Sequence, residues 1–208
     1  MSLDETKTYF AIFSLPPHLV IDTAALEKSF YALSRKLHPD RFASKPPAEQ
    51  EAALAASSEL NDAYRTLKDP IARTEYLLEL EGIQMEEQSS AATAAARATG
   101  IAKKQVVPED LLEEAFELNM QLEEMRAAKK SGEDDPQLRA DLLAAKSEFD
   151  AEMAAAQADL ESLWSQWDSA VDTNDPTAKA AARDAMVALL NRRSYLRNLV
   201  RDVNDTLE

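Results

Sequence analysis

The chain has 208 residues, 45% of them hydrophobic, and a formal net charge of −15. That is enough apolar side chain for packed cores, and too much negative charge for nucleic acid over most of the surface. Cysteine is absent and the only histidines are His18 and His38, which excludes disulfides, thiol nucleophiles and cysteine-ligated zinc or iron–sulfur clusters and leaves a poor set for catalysis.

With three glycines and abundant alanine, leucine, glutamate and arginine, the composition predicts helix almost everywhere. Nothing reads as a signal peptide and no apolar run approaches membrane-spanning length. The expectation is a soluble, cytoplasmic protein without enzymatic activity or cofactor, binding neither nucleic acid nor membrane. One window departs from the acidic balance. From Asp22 to Lys45, five cations (Lys28, Arg35, Lys36, Arg41, Lys45) face three carboxylates (Asp22, Glu27, Asp40). A basic patch on an acidic chain points to an acidic protein partner.

The first element is a short helix from Tyr9 to Phe13. Asp22 then caps a helix with apolar residues at Leu26, Phe30, Leu33 and Leu37, a single stripe at helical spacing. Pro39 ends it by removing a donor and restricting the residue before it. Pro46-Pro47 keeps the next segment extended until Ala48-Glu49, where a second helix begins with the stripe Ala53, Ser57, Leu60, Tyr64 and Leu67. Two matching stripes predict an antiparallel hairpin whose exposed tip is residues 38–47. A further helix, Ile71 to Leu80, follows Asp69-Pro70, and Gly82 closes the unit.

Residues 84–107 carry no apolar period and are rich in Ala, Ser and Thr; they read as a linker or a weakly packed helix. Pro108 suits the first turn of a helix with the stripe Leu111, Ala115, Leu118, Leu122 and Met125. After Gly132 and Pro136 comes a long helix with Leu138, Leu142, Phe149, Leu160 and Trp167 among its apolar positions. Asn174-Asp175-Pro176 turns the chain into a last helix carrying Leu189, Leu196, Val200, Val203 and Leu207. Three amphipathic helices with short turns predict an antiparallel three-helix bundle. His18 reads as a solvated turn residue, Trp164 and Trp167 as packing, and Glu133-Asp134-Asp135 as a solvated turn.

The tripeptide His38-Pro39-Asp40 occupies the predicted tip. Alone it is explained by proline ending a helix and aspartate closing a turn. Its surroundings add more: a basic helix before it, and Ala63-Tyr64-Arg65-Thr66-Leu67-Lys68-Asp69-Pro70 after it. Together these resemble the J domain of DnaJ-type co-chaperones. Where generic J domains tend to continue with arginine and then Tyr-Asp, this chain reads Arg73-Thr74-Glu75-Tyr76-Leu77-Leu78. With Tyr9-Phe10-Ala11-Ile12-Phe13, Phe116-Glu117-Leu118 and Ser194-Tyr195-Leu196-Arg197, the sequence is similar to the HscB family of iron–sulfur cluster co-chaperones. The departure is an Ala-rich stretch near residues 88–105, which looks like an insertion. The fold expected is all-α: a J domain over residues 1–82 (helical hairpin plus two short helices), an Ala-rich linker over 83–107 and a three-helix client-binding bundle over 108–208.

The resemblance implies that His38, Pro39, Asp40, Lys28, Arg35, Lys36 and Arg41 contact a DnaK- or HscA-type ATPase, and that the bundle binds an IscU-type iron–sulfur scaffold. On the first bundle helix Leu112 and Phe116 project roughly 100–140° from the core stripe, and Tyr195 lies roughly 110° off the stripe centred on Leu196 and Val200. All three match positions where the family carries apolar client contacts, so they are the expected client patch. The competing account is that the patch packs against the J domain or the inserted stretch. A general J-domain co-chaperone with another client is the alternative function. A hydrolase built on His38 lacks a second histidine at metal-ligand spacing, and a purely structural scaffold would leave Asp40 without a role.

Overall fold

The computed structural model describes residues 8–83, 108–133 and 135–208. Among these, every regular element is helical. The Ala-rich stretch expected over 83–107 lies, apart from Ile83, outside the described residues, as does Asp134 of the acidic turn. By packing, the residues up to 83 form one unit with Trp164–Arg183, and the residues from 108 to Leu163 form a second with Asp184–Glu208.

In the first unit, α1 (Tyr9–Ile12) is capped by Thr8, whose hydroxyl accepts from Ala11 N, and it buries Phe10. Helix α2 (Thr23–Leu37) starts at Asp22, whose carboxylate accepts from Ala24 N and Ala25 N. Helix α3 (Pro47–Lys68) buries Ala53, Leu60, Ala63 and Leu67, and α2, α1 and the following helix α4 (Pro70–Leu80) all pack on it. The α2–α3 hairpin is closed by rings: Phe30 stacks on Tyr64 at 4.1 Å between centroids, and the Tyr64 hydroxyl donates to Glu27.

The second unit contains α5 (Leu112–Ser131) and most of two long helices, α6 (Pro136–Asp172) and α7 (Pro176–Leu207). Its core joins the whole predicted α5 stripe, Leu111 to Met125, to Leu138, Leu142 and Phe149 of α6 and to Tyr195, Leu196, Leu199 and Val203 of α7. Arg192 of α7 bridges Asp110, just before α5, and Glu152 of α6.

One piece of local chemistry recurs. Aspartate followed by proline opens α4, α6 and α7: Asp69 accepts from Ala72 N, Asp135 from Gln137 N and Leu138 N, and Asp175 from Thr177 N and Ala178 N. The carboxylate satisfies first-turn donors that have no partner in the helix, and proline occupies the position where a missing N–H costs nothing. The helix ends match as well. At α4 and α5 the chain leaves through Gly82 (φ 82°) and Gly132 (φ 75°). The next residue donates back to the helix, Ile83 N to Leu78 O and Glu133 N to Ala128 O. A side chain would be strained in that left-handed conformation.

The expected boundaries assign 164–183 to the bundle, whereas by packing this segment belongs with the first unit. Asp168 explains why: its two carboxylate oxygens accept from Leu19 N and Val20 N, each at 2.8 Å. Arg73 lies over the Trp164 ring at 5.8 Å, Lys179 pairs with Glu81 at 2.8 Å, and His18 Nε2 sits 3.2 Å from Asp172. Trp164 and Trp167 are buried, in keeping with a packing role. Replacing Asp168 by alanine removes an ionised acceptor from two amides and should lower the unfolding free energy by about 2 kcal/mol. Asp168→Asn, which keeps one acceptor oxygen, should lose about half of that. Urea unfolding of the full chain measures both; equal stability of all three proteins would remove the bond from the account.

Candidate functional site

The tip is built by the end of α2. His38 takes φ −59° and ψ 127°, the extended conformation that a following proline demands. Pro39–Phe42 then forms a 3-10 turn in which Arg41 N donates to His38 O at 3.0 Å. Asp40 N approaches His38 Nδ1 at 3.3 Å, so the imidazole caps the turn that presents the carboxylate. Because α3 begins at Pro47, its first turns hold the returning segment: the Gln50 amide donates to Lys45 O at 2.8 Å and to Ala43 O at 3.3 Å. His38, Pro39, Asp40 and Arg41 all stay exposed, with 89% of the Asp40 side chain in solvent.

The predicted cations stand on the same unit. Relative to the apolar Leu26–Leu37 stripe, of which Leu26 is buried and the rest partly so, Lys28 and Arg35 project on the opposite side of α2, roughly 170–190° away. Lys36 and Lys45 are exposed too, and Arg41 reaches back to donate to Arg35 O at 3.2 Å. Among the described residues none of these five side chains makes an ion pair with a carboxylate. Their charge is therefore available to a partner.

Sequence reasoning missed Lys68. It comes from the far end of α3, outside the 22–45 window, and lies over the Tyr64 ring at 5.3 Å. Its pKa is raised above the ordinary lysine value, first by the hydrogen bond with Tyr64 and then by the charges of Tyr64, Glu27 and Tyr31, against a smaller opposing effect of burial. The hairpin thus brings a sixth cation against α2.

No described group of three or more His, Asp or Glu could hold a metal ion, and no described helix is long and apolar enough to cross a membrane. The tip offers contacts, an exposed carboxylate within a field of cations. Residues 8–76 match the DnaJ domain family. The whole chain resembles the solved structure of chaperone HscB from Vibrio cholerae, with 29% identity, a TM-score of 0.58, and coverage of 97% of this chain and 99% of that one. The chain is a J-domain co-chaperone similar to HscB. Human co-chaperone HscB shares the fold, with 23% identity and a TM-score of 0.58 over 97% of this chain and 82% of its own.

The second predicted surface of this HscB-like chain divides. Leu112 and Phe116 on α5 are 52% and 66% exposed, and Met120 continues the same i, i+4 row at 60%. Met120 could have been found by extending that row one turn. Tyr195 is a correction: it is only 7% exposed and belongs to the bundle core. Towards the end of α7 the buried residues Tyr195, Leu196, Leu199, Val203 and Thr206 centre between Leu196 and Leu199 instead of between Leu196 and Val200. That moves the axis so that Tyr195 lies only roughly 50° from it. Burial, and secondarily Asp202, raises the pKa of its phenol. The three residues should therefore separate on substitution. Tyr195→Ala should cost about 3 kcal/mol in unfolding free energy, while Phe116→Ala stays within about 0.5 kcal/mol of native. Equal losses at both positions in a denaturant titration would return Tyr195 to the surface.

Proposed function

We propose that this co-chaperone stimulates ATP hydrolysis by a DnaK- or HscA-type chaperone through its hairpin tip, and delivers an IscU-type iron–sulfur scaffold protein held on α5. The observation that carries the first half is the exposed His38-Pro39-Asp40 turn, with the segment after it held by Gln50 and cations without ion pairs beside it. Asp40 offers a carboxylate to a cationic group of the ATPase, while Lys28, Arg35, Lys36 and Arg41 meet an acidic surface there. Such complementarity raises the encounter rate and sets register. No side-chain chemistry by this chain is needed: a partner that binds the hydrolysing conformation better than the resting one shifts the population toward it.

For the second half, α5 carries apolar residues on two faces. One face is used up by the bundle core, and the other holds Leu112, Phe116 and Met120 in solvent. A helix with a spare apolar row suits burial in a complementary groove. The likeness to HscB of Vibrio cholerae supports a client of the iron–sulfur scaffold class. Single-turnover ATPase assays with the chaperone, with and without scaffold, test both halves. His38→Gln should return hydrolysis to the basal rate. The triple change of Leu112, Phe116 and Met120 to alanine should spare basal stimulation and weaken scaffold binding by about a hundredfold or more. Retained scaffold binding by the triple variant, with an unfolded model client displaced instead, would make this a general J-domain co-chaperone.

A further inference from the structure

Tyr31 is an aromatic residue that the fold does not use. Its ring is 54% exposed, and its one ring neighbour is Phe30, at 5.5 Å between centroids and tilted by 57°. Phe30 itself turns inward to stack on Tyr64, so the hairpin contact is complete without Tyr31. Isolated exposed aromatics are common and need no explanation in themselves. The surroundings of this one are different. Tyr31 stands three residues after Lys28 and four before Arg35, the two spacings that make helical neighbours. From α3, Lys68 comes to the flank of α2 beside Tyr31: it is seated over the ring of Tyr64, which stacks on Phe30, and the Tyr31 phenol is among the groups that raise its pKa. An apolar ring therefore sits among three cations, within roughly 15 Å of the tip along the helix.

Given the ATPase-binding reading above, on which this rests, we infer that Tyr31 is the apolar anchor of that interface, entering a recess in the acidic surface that the surrounding cations meet. Charges alone make a contact that ions in solution screen and that water can re-enter. A tyrosine buried at the centre of such a contact excludes water, adds area at little entropic cost, and strengthens the charge pairs around it. Lys28, Arg35 and Lys68 are then the rim of the contact and Tyr31 its centre. The prediction concerns the partner as well: its acidic surface must include an apolar recess large enough for one phenol ring.

The experiment is a titration of ATPase stimulation by the full-length chain at several salt concentrations, comparing native protein with Tyr31→Ala, Tyr31→Phe, Lys28→Ala and His38→Gln. Tyr31→Ala, at an exposed helical position, should keep the fold and raise the half-maximal concentration about tenfold at every salt concentration. Tyr31→Phe should stay close to native. The deficit of Lys28→Ala should shrink as salt rises, because the interaction it removes is screened. A Tyr31→Ala protein within about twofold of native, while His38→Gln is inactive, overturns the anchor and leaves the ATPase reading standing. Tyr31→Phe as weak as Tyr31→Ala assigns the effect to the hydroxyl and also overturns it. Full stimulation by His38→Gln overturns the ATPase reading, and the anchor with it.

Discussion

The seating of α2 on α3 is the constraint from which the rest of the first unit follows. Phe30 and Tyr64 lie nearly parallel, 12° apart in plane, and an aromatic pair of this kind adds about 0.5–1.5 kcal/mol beyond its buried area. An exposed ion pair adds about 0–1 kcal/mol and falls with salt. Apolar and aromatic packing thus holds the hairpin together, which leaves Lys28, Arg35, Lys36 and Arg41 without an ion pair among the described residues. Pro39 fixes where α2 stops, and α3 runs on past that point to supply Gln50. A protein that spent Lys28 or Arg35 on intramolecular salt bridges would gain little stability and lose an interaction surface.

The unit around this hairpin is composite. Arg73 is 5% exposed, donates to Leu67 O at 2.6 Å and rests on Trp164. Burial holds its guanidinium below the usual arginine pKa, with Asp69 and Asp168 opposing that shift. Taking a cation out of water has a cost, and Arg73 Nε is buried without a described hydrogen-bond partner. The carbonyl, the indole face and the two nearby carboxylates offset it. Thr74, also buried, turns its hydroxyl to Pro70 O at 2.7 Å. Arg73 and Tyr76 keep the generic J-domain pattern, which the sequence leaves at Leu77, where aspartate would follow the tyrosine; Arg73 is what meets the tryptophan of α6. In this chain α4 is covered by the segment of α6 that begins at Trp164.

What could be read from the sequence was whatever one helix dictates to itself. The α5 stripe is buried at all five positions from Leu111 to Met125, and Pro39, Gly82 and Gly132 mark real ends. Contacts joining distant residues were not legible. Asp168 lies 149 residues from Leu19, and nothing in the periodicity of α6 distinguishes it from other surface carboxylates. Lys68 escaped because it belongs to another helix than the basic window it joins. Tyr195 failed for a subtler reason. A helix packed against two neighbours buries a broad face, and the axis of that face depends on both neighbours, so Leu199 and Tyr195 count as core although the spacing of Leu196 and Val200 suggests otherwise.

The two exposed surfaces differ in the physics they can use. The hairpin presents unpaired charge, long-ranged and fast to engage but eroded by salt. The α5 row presents three large apolar side chains, short-ranged and insensitive to salt, each contributing about 1.5–3 kcal/mol if fully buried. On the proposed reading this division suits an adaptor. The ATPase contact must form and dissolve with every nucleotide cycle, so a charge-steered interface with rapid exchange is favoured. The client must remain bound while that cycle is entered, so its affinity is better drawn from burial, which sets how slowly a complex comes apart. Bringing the two functions into one chain does not require them to communicate. It requires only that the handle turn over faster than the cargo leaves.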